Sequence, residues 1–187
     1  LVAISKERDI YGLINNAGYG SFGRYQELDI EGECQMFRVN VEAPLRLTHS
    51  VLPQMLERKD GVIINLASIA AFQPLPYMAT YAATKAANFS YSLSQHYELK
   101  KSGIRVLAVC PGPIPTEFAE VAKVPGTFGS SSGDSVQDVV GAALRAIERG
   151  SLFVVPGIWG KFFSYATRFT PRFLNMTLSE LVLRSRL

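Results

Sequence analysis

The sequence lacks the features that mark membrane-spanning, disulfide-rich and nucleic-acid-binding proteins. No stretch approaches about 18 consecutive apolar residues, so we predict no membrane span. The two cysteines, Cys34 and Cys110, lie far apart and outside any Cys-x-x-Cys pattern. They favour free thiols in a reducing compartment, and hence a cytoplasmic protein. The basic residues form no dense stripe, so we expect no nucleic-acid partner.

What is present suits one globular domain. Of the 187 residues, 48% are apolar, and no internal repeat or linker divides residues 1–187. Short β-branched runs predict four strands, at Ile10–Ile14, Gly61–Ala67, Ile104–Val109 and Leu152–Val155. Because helical patterns separate these runs, the fold class is predicted as α/β, a doubly wound parallel sheet with helices on both faces.

A phenol and an ammonium lie four residues apart in an Ala-rich segment that predicts a helix over Met78–Lys101. Tyr81 and Lys85 should therefore project from one face, about one turn apart. A cation beside a phenol favours the phenolate, so we expect Lys85 to lower the pKa of Tyr81. Ser68 follows a predicted strand and supplies a hydroxyl that could hold a carbonyl oxygen during proton transfer.

A second helical pattern runs from Asp29 to Glu57 with one flaw, Pro44. Proline has no N–H, so the carbonyl of Asn40, four residues earlier, loses its helical partner. We expect a water to take that place, although a proline-kinked packing helix remains the alternative. A third helix is predicted from Ser135 to Arg149, beginning with a capping box.

Polar or rigid turns follow two of the strands, at the sheet edge where ligands bind in open α/β folds. The first is Asn15-Asn16-Ala17-Gly18. It continues as a G-x-G-x-x-G pattern to Gly23, which we interpret as a loop beside the site because no helix opens directly after it. The second turn is Pro111-Gly112-Pro113-Ile114-Pro115-Thr116, stiffened by three prolines. The segment to Gly133 is rich in glycine and serine, and residues 113–133 are predicted to form a mobile substrate lid.

These motifs occur in the order and spacing of one known family. Over roughly residues 8–120 the chain resembles the short-chain dehydrogenase/reductases. The resemblance implies an NAD(P)-dependent oxidoreductase acting on a carbonyl or secondary alcohol, with NADP slightly favoured, and a homo-oligomer. The family's glycine-rich phosphate turn would precede Leu1, so this sequence is expected to lack the amino-terminal part of such an enzyme.

The resemblance also implies a role for each motif. Tyr81 would be the acid/base, Lys85 would bind the nicotinamide ribose, Ser68 would orient the substrate oxygen, and Asn40 would hold a relay water. The implied cofactor-binding residues are Asn16, Ala17, Gly18, Tyr81, Lys85, Pro111, Gly112, Ile114 and Thr116. A catalytically silent binding protein remains an alternative. A serine hydrolase built on Ser68 is disfavoured, because no G-x-S-x-G elbow surrounds it.

The tail, residues 158–187, carries aromatic residues at helical spacing with a basic flank. The stripe is Trp159, Phe162, Phe163, Ala166, Phe169 and Phe173. We interpret it as a helix packing on the substrate pocket or on a sister subunit. A membrane-surface helix, which would make the protein peripherally membrane-bound, is the alternative. The aromatic tail also suggests a lipophilic substrate.

Overall fold

The fold is a parallel sheet with helices on both faces, as the computed structural model describes it for residues 8–124 and 134–187. Four strands lie in the order β1-β2-β3-β4. They are β1 (Gly12–Asn15), β2 (Gly61–Leu66), β3 (Ile104–Val109) and β4 (Phe153–Val154). All three pairings are parallel, so the carboxyl ends of the strands meet at one edge. The predicted fold class is confirmed.

Seven α-helices accompany the described strands. They are α1 (Ile30–Phe37), α2 (Ala43–Arg58), α3 (Ala79–Leu99), α4 (Phe118–Val121), α5 (Val136–Glu148), α6 (Ile158–Phe169) and α7 (Arg172–Arg184). Among the described residues, no helix has the length and apolar character needed to cross a bilayer.

The core lies in two layers because successive strand residues point to opposite faces. On one face, Ile64 and Leu107 pack against α5. On the other, Ile63 and Val106 pack against a cluster that includes Met55 of α2. Helices therefore cover both faces of β2 and β3, the two central strands.

The predicted single helix from Asp29 to Glu57 is wrong in one respect. Asp29 caps α1 by accepting from the N–H groups of Glu31 and Gly32. The chain then passes through a π-helical turn, Arg38–Glu42, before α2 begins. A π-turn contains one extra residue, so its backbone hydrogen bonds join residues five apart instead of four just before Pro44. The flaw expected at Asn40 is therefore a wider turn within an otherwise continuous helical path.

The ends of three other helical segments have identifiable causes. Ser135 and Asp138 form the expected capping box at the start of α5. Gly103 ends the turn after α3 with φ +81°, and a methyl group there would overlap the Lys59 carbonyl. The tail, predicted as one helix, is two, because Thr170 and Pro171 leave the helical conformation between α6 and α7.

The substrate lid expected over residues 113–133 stays a prediction, and the structure describes only its first part. Residues up to Val124 form the short helix α4 and a turn, and both Ala122 and Val124 are buried in the cluster that contains Tyr81. Residues 125–133 lie outside the described residues, as do residues 1–7.

Candidate active site

Three strand ends and one helix bring the predicted site residues together. The turn after β1 carries Asn16 and Gly18, Ser68 stands two residues after β2, and Pro111 follows β3 by two residues. A backbone hydrogen bond of 3.0 Å from Ile69 N–H to the Pro111 carbonyl joins the last two loops. The first half of α3 crosses this edge of the sheet.

Ser68 is held in place by its own backbone. Its extended conformation places the hydroxyl as the cap of a 3₁₀ turn, where Oγ accepts from Ala70 N–H at 3.1 Å. The hydroxyl proton has two acceptors within reach, the Tyr81 phenol and, at 3.5 Å, the Pro111 carbonyl. The Ser68 hydroxyl therefore lies close enough to the Tyr81 phenol to lower its pKa by hydrogen bonding.

Tyr81 is buried, with 8% of its surface exposed. Burial raises the pKa of Tyr81 to about 12, and the smaller opposing effect is the Ser68 hydrogen bond. A lowered pKa was expected here, but the net shift is upward and Lys85 is not among its causes. Desolvation penalises the phenolate more than its neighbours stabilise it, because a phenol loses its water when it enters an apolar wall.

Lys85 is also buried, and a backbone carbonyl holds its ammonium. Nζ donates to the Leu66 carbonyl at 2.7 Å and lies 5.8 Å from the centroid of the Tyr81 ring. Burial lowers the pKa of Lys85 to about 8. Ammonium and phenol thus lie in one wall, where desolvation disfavours the charged form of each.

Asn40 holds the loop after β1 rather than standing free. Its side-chain oxygen accepts from Tyr19 N–H at 3.1 Å, and its amide donates to the Tyr19 carbonyl at 2.8 Å and to Thr84 Oγ1 at 3.1 Å. A methyl group on Gly18 would come 3.0 Å from Asn40 Oδ1 and 3.7 Å from Lys85 Nζ. The loop therefore runs directly over the Asn40–Lys85 pair, beside the site as predicted.

The remaining predicted residues converge on one cavity, with one exception. Asn16, Gly18, Pro111, Gly112, Ile114 and Thr116 line it together with Ser68, Tyr81 and Lys85. Ala17 is exposed and is not among the lining residues. The Thr116 hydroxyl accepts from Phe118 N–H at 3.3 Å, so it also caps α4.

The cavity has a volume of about 1100 Å³ and mostly apolar walls. Leu75, Met78 and Phe118 surround the Tyr81 side, and Phe163 of α6 with Leu178 and Val182 of α7 closes it from the tail. Two long-range hydrogen bonds fasten α7 there. Gln73 Nε2 donates to Ser179 Oγ at 3.0 Å, and the Tyr77 hydroxyl donates to Glu180 Oε1 at 3.0 Å.

Sequence reasoning missed three supports of the site. Thr84 is fully buried between Asn40 and the Tyr81 carbonyl, and its position one residue before Lys85 was the available signal. Phe118 packs on the Tyr81 ring with centroids 5.1 Å apart, a contact that no local pattern indicates. Asn15 links β1 to β2 by donating to Asn65 Oδ1 at 2.7 Å.

Comparison with known proteins gives a consistent result. A sequence model described as short chain dehydrogenase matches residues 2–124. An uncharacterized oxidoreductase of Staphylococcus epidermidis is 31% identical over 140 residues, covering 74% of this chain and 59% of its own length. A Xanthobacter autotrophicus protein named inactive 2-(S)-hydroxypropyl-CoM dehydrogenase 2 is 32% identical over 160 residues, 76% of this chain and 67% of its own.

A solved structure extends the similarity to the tail. The short chain dehydrogenase from Burkholderia cenocepacia in complex with NADP has a TM-score of 0.79 and 30% identity, covering 93% of this chain and 71% of that one. This chain thus spans 59% of the staphylococcal relative and 71% of the Burkholderia structure.

Proposed function

We propose a function from the premise that this chain belongs to the short-chain dehydrogenase family, whose sequence model it matches over residues 2–124. The family is one of oxidoreductases. Our proposal is that the protein reduces a lipophilic carbonyl compound to the alcohol with a nicotinamide cofactor. The observation that carries it is the Ser68–Tyr81 pair, buried on the wall of an apolar cavity beside Lys85.

The residues around Lys85 fit the nicotinamide ribose of NAD(P). Its ammonium donates to the Leu66 carbonyl, which leaves two of its three N–H bonds for ligand hydroxyls. Gly18 keeps the approach open, because any side chain there would stand between Asn40 and Lys85. Ile114 and Thr116 line the same cavity and are our candidates for the carboxamide. The NADP complex of the Burkholderia relative supports an NAD(P) cofactor, and NADP is the form that we propose.

When bound, the reduced nicotinamide supplies the hydride that the carbonyl carbon accepts. Two side chains of the protein then act on the carbonyl oxygen of the substrate. The Ser68 hydroxyl donates to the carbonyl oxygen and polarises the bond, and Tyr81 delivers the proton that turns the developing alkoxide into the alcohol. With a pKa of about 12, Tyr81 is protonated at neutral pH, so it is ready to act as an acid. This state favours the reducing direction.

In this proposal Asn40 acts indirectly, by positioning the loop after β1. By bonding to both backbone groups of Tyr19 it fixes the loop against Lys85. The relay water expected from the resemblance stays a prediction, and the main-chain carbonyl of Asn40 is its candidate holder.

The walls of the cavity indicate the substrate class. Leu75, Met78, Phe118, Leu178 and Val182 offer apolar surface next to the reactive pair. Each methylene that such a wall removes from water contributes about 0.8 kcal/mol. We therefore expect kcat/KM to rise about fourfold per methylene along a series of ketones, until the chain fills the cavity.

The test follows the absorbance of NADPH and NADH in the purified protein with ketones and aldehydes of increasing chain length. Oxidation of cofactor that grows with chain length, and that is lost in Tyr81→Phe, is the expected result. A flat response across the series would contradict the lipophilic substrate. Tight cofactor binding without turnover of any carbonyl compound would favour the alternative, a catalytically silent binding protein. The Xanthobacter relative is itself named inactive.

A further inference from the structure

The helix α6 exposes a row of large apolar side chains on the side that faces away from the cavity. We call this the outer face of α6, and its residues are Ile158, Trp159, Phe162, Tyr165 and Phe169. Trp159 is 70% exposed, Phe162 67% and Phe169 82%. Soluble proteins expose single apolar side chains everywhere, but a contiguous aromatic row of this kind marks an interaction surface.

The opposite side of the same helix already has its partners. Gly160 is buried, and a methyl group there would come 3.1 Å from Val155. Phe163 points into the cavity. The outer face is therefore an additional surface, and the packing expected of the whole aromatic stripe is made by Phe163 rather than by Phe162 or Phe169.

Cations flank the outer face, and the described residues form no ion pair with them. Lys161, Arg168 and Arg172 are all exposed. The acid of the tail, Glu180, accepts from Tyr77 and lies 3.7 Å from Arg184. An amphipathic helix with tryptophan, tyrosine and phenylalanine on one face and unpaired cations beside it has the composition of a helix that lies in a lipid interface.

We propose that the outer face of α6 docks the protein on an anionic lipid surface. With 12 residues the helix is about 18 Å long, so it lies in the interface plane. The aromatic rings enter the boundary between headgroups and acyl chains, while Lys161, Arg168 and Arg172 meet the lipid phosphates. The proposal rests on α6 and on Arg172 at the start of α7, and not on the chemistry at Tyr81.

The charges favour a lipid surface over a second copy of this chain. In a two-fold dimer through the outer face, Lys161 and Arg168 of one copy would lie against the same residues of the other. Like charges at that distance repel, and no described acid on α6 offsets them. A surface of phosphates instead provides the opposite charge along the whole helix.

The position of α6 gives this docking a consequence for the cavity. Phe163, on the inner side of the helix, is part of the cavity wall, and α7 continues that wall with Leu178 and Val182. Docking would thus hold one wall of the cavity against the lipid, where apolar small molecules are most concentrated.

Trp159, the one tryptophan of the 187 residues, reports the docking without any substitution. We expect its emission to shift to shorter wavelength when vesicles of phosphatidylcholine with about 30% phosphatidylglycerol are added, and to shift back in high salt. Vesicles of phosphatidylcholine alone should give little change. No shift with the anionic vesicles would overturn the proposal.

Flotation with the same vesicles tests the contribution of the cations and that of the aromatic rings separately. K161Q/R168Q should lower partition roughly 30-fold, from about 1 kcal/mol per cation. F162S/F169S should lower it at least as much, since two large rings no longer enter the boundary. The matched controls, Y25S and K101Q, alter exposed residues outside the tail and should float as the wild type does.

The competing occupant gives a different result. If a second copy covers the outer face, the Trp159 shift appears on raising the protein concentration without lipid, and F162S/F169S turns a dimer into a monomer in sedimentation. That outcome, or equal flotation of wild type and K161Q/R168Q, would overturn the lipid proposal. Circular dichroism confirms that each variant is folded before it is compared.

Discussion

At the scale of single residues, the site combines an acid that keeps its proton with a base that holds its proton weakly. Burial gives Tyr81 a pKa of about 12 and Lys85 a pKa of about 8. Both shifts arise because the wall of the cavity removes water from charged forms. The proposed proton donor is therefore fully protonated across the physiological range, and Lys85 is the group whose state changes with pH.

Loss of the Tyr81 hydroxyl tests the proton donor. Tyr81→Phe should lower kcat about 100- to 10,000-fold while cofactor affinity, measured by fluorescence titration, stays near the wild-type value. The matched control is Tyr91→Phe, ten residues further along α3, whose hydroxyl is buried and has no hydrogen-bond partner. Turnover by Tyr81→Phe above a tenth of the wild type would contradict the assignment.

Burial of Lys85 predicts a pH-dependent stability. The pKa falls from its usual 10.5 to about 8 on folding, so between these values the unfolded chain binds more protons and stability rises with pH. At pH 7 the folded state bears a penalty of roughly 3 kcal/mol, which is lost as pH approaches 10.5.

Urea unfolding of wild type and Lys85→Met at pH 7 and pH 10.5 measures that penalty. The free energy of unfolding of Lys85→Met, relative to that of the wild type, should fall by about 3 kcal/mol from pH 7 to pH 10.5. Other titrating groups are the same in both proteins and cancel in this difference. A constant difference would show that Lys85 is not desolvated.

Residue identity was easier to predict from sequence than residue environment. Ser68, Tyr81 and Lys85 follow from spacing along one strand end and one helix, which are local features. The raised pKa of Tyr81 depends on Phe118, 37 positions away in sequence, and on the closeness of the walls. Such contacts form only when the chain folds, so the sign of the shift was not accessible from the sequence.

At the scale of elements, the tail helix α7 depends on two hydrogen bonds to the segment that enters α3. Tyr77 has a left-handed backbone with φ 64°, unusual for a non-glycine residue, and its hydroxyl reaches Glu180. Gly23 N–H donates to the Tyr77 carbonyl at 3.0 Å and helps to hold that conformation. The loop after β1, the segment that enters α3 and the tail thus meet at Tyr77.

Tyr77→Phe should loosen α7 without changing the fold. Removing one of the two bonds should raise the amide hydrogen-exchange rate of residues 172–184 about fivefold and increase KM more than it lowers kcat. Thr177→Ala is the control on the same helix, because the Thr177 hydroxyl bonds only within its own helix, to the Phe173 carbonyl. Equal exchange in both variants would mean that Tyr77 does not fasten α7.

The positions of the strands and helices could be predicted from the sequence better than the breaks within the helices. The strand Ile104–Val109 has the predicted bounds, and the capping box of α5 was visible in Ser135 and Asp138. The π-turn before Pro44 could not be predicted. A proline indicates that one helical hydrogen bond is missing, but not which backbone conformation replaces the regular turn. The break between α6 and α7 could have been predicted from Pro171, because the helical conformation is disfavoured for a residue that precedes proline.

At the scale of the whole molecule, a buried chain of hydrogen-bonded polar side chains joins the sheet to α3. Asn15 of β1 donates to Asn65 of β2, Asn65 donates to Ser92 Oγ at 2.8 Å, and Ser92 is on α3. Asn15 also reaches Thr48 of α2 at 3.3 Å. One network therefore joins two strands and both helices on that face.

Breaking the network at its centre should destabilise the whole fold. Asn65→Ala leaves the Asn15 amide and the Ser92 hydroxyl short of partners, at a cost of about 2–4 kcal/mol in urea unfolding. Asn15→Ala in the same background should add less than it does alone, because the shared bond is already gone. Ser94→Ala, exposed on α3, is the control and should change stability by less than about 0.5 kcal/mol.

The strand order has a consequence for how the protein is made. In the described sheet the strands lie side by side in the order in which the ribosome releases them. Each new strand can add to an edge that already exists, and no strand must be inserted between two that have paired. About 40 residues separate the end of β2 from β3, or roughly two to eight seconds of synthesis, ample time for each β-α unit to settle before the next emerges.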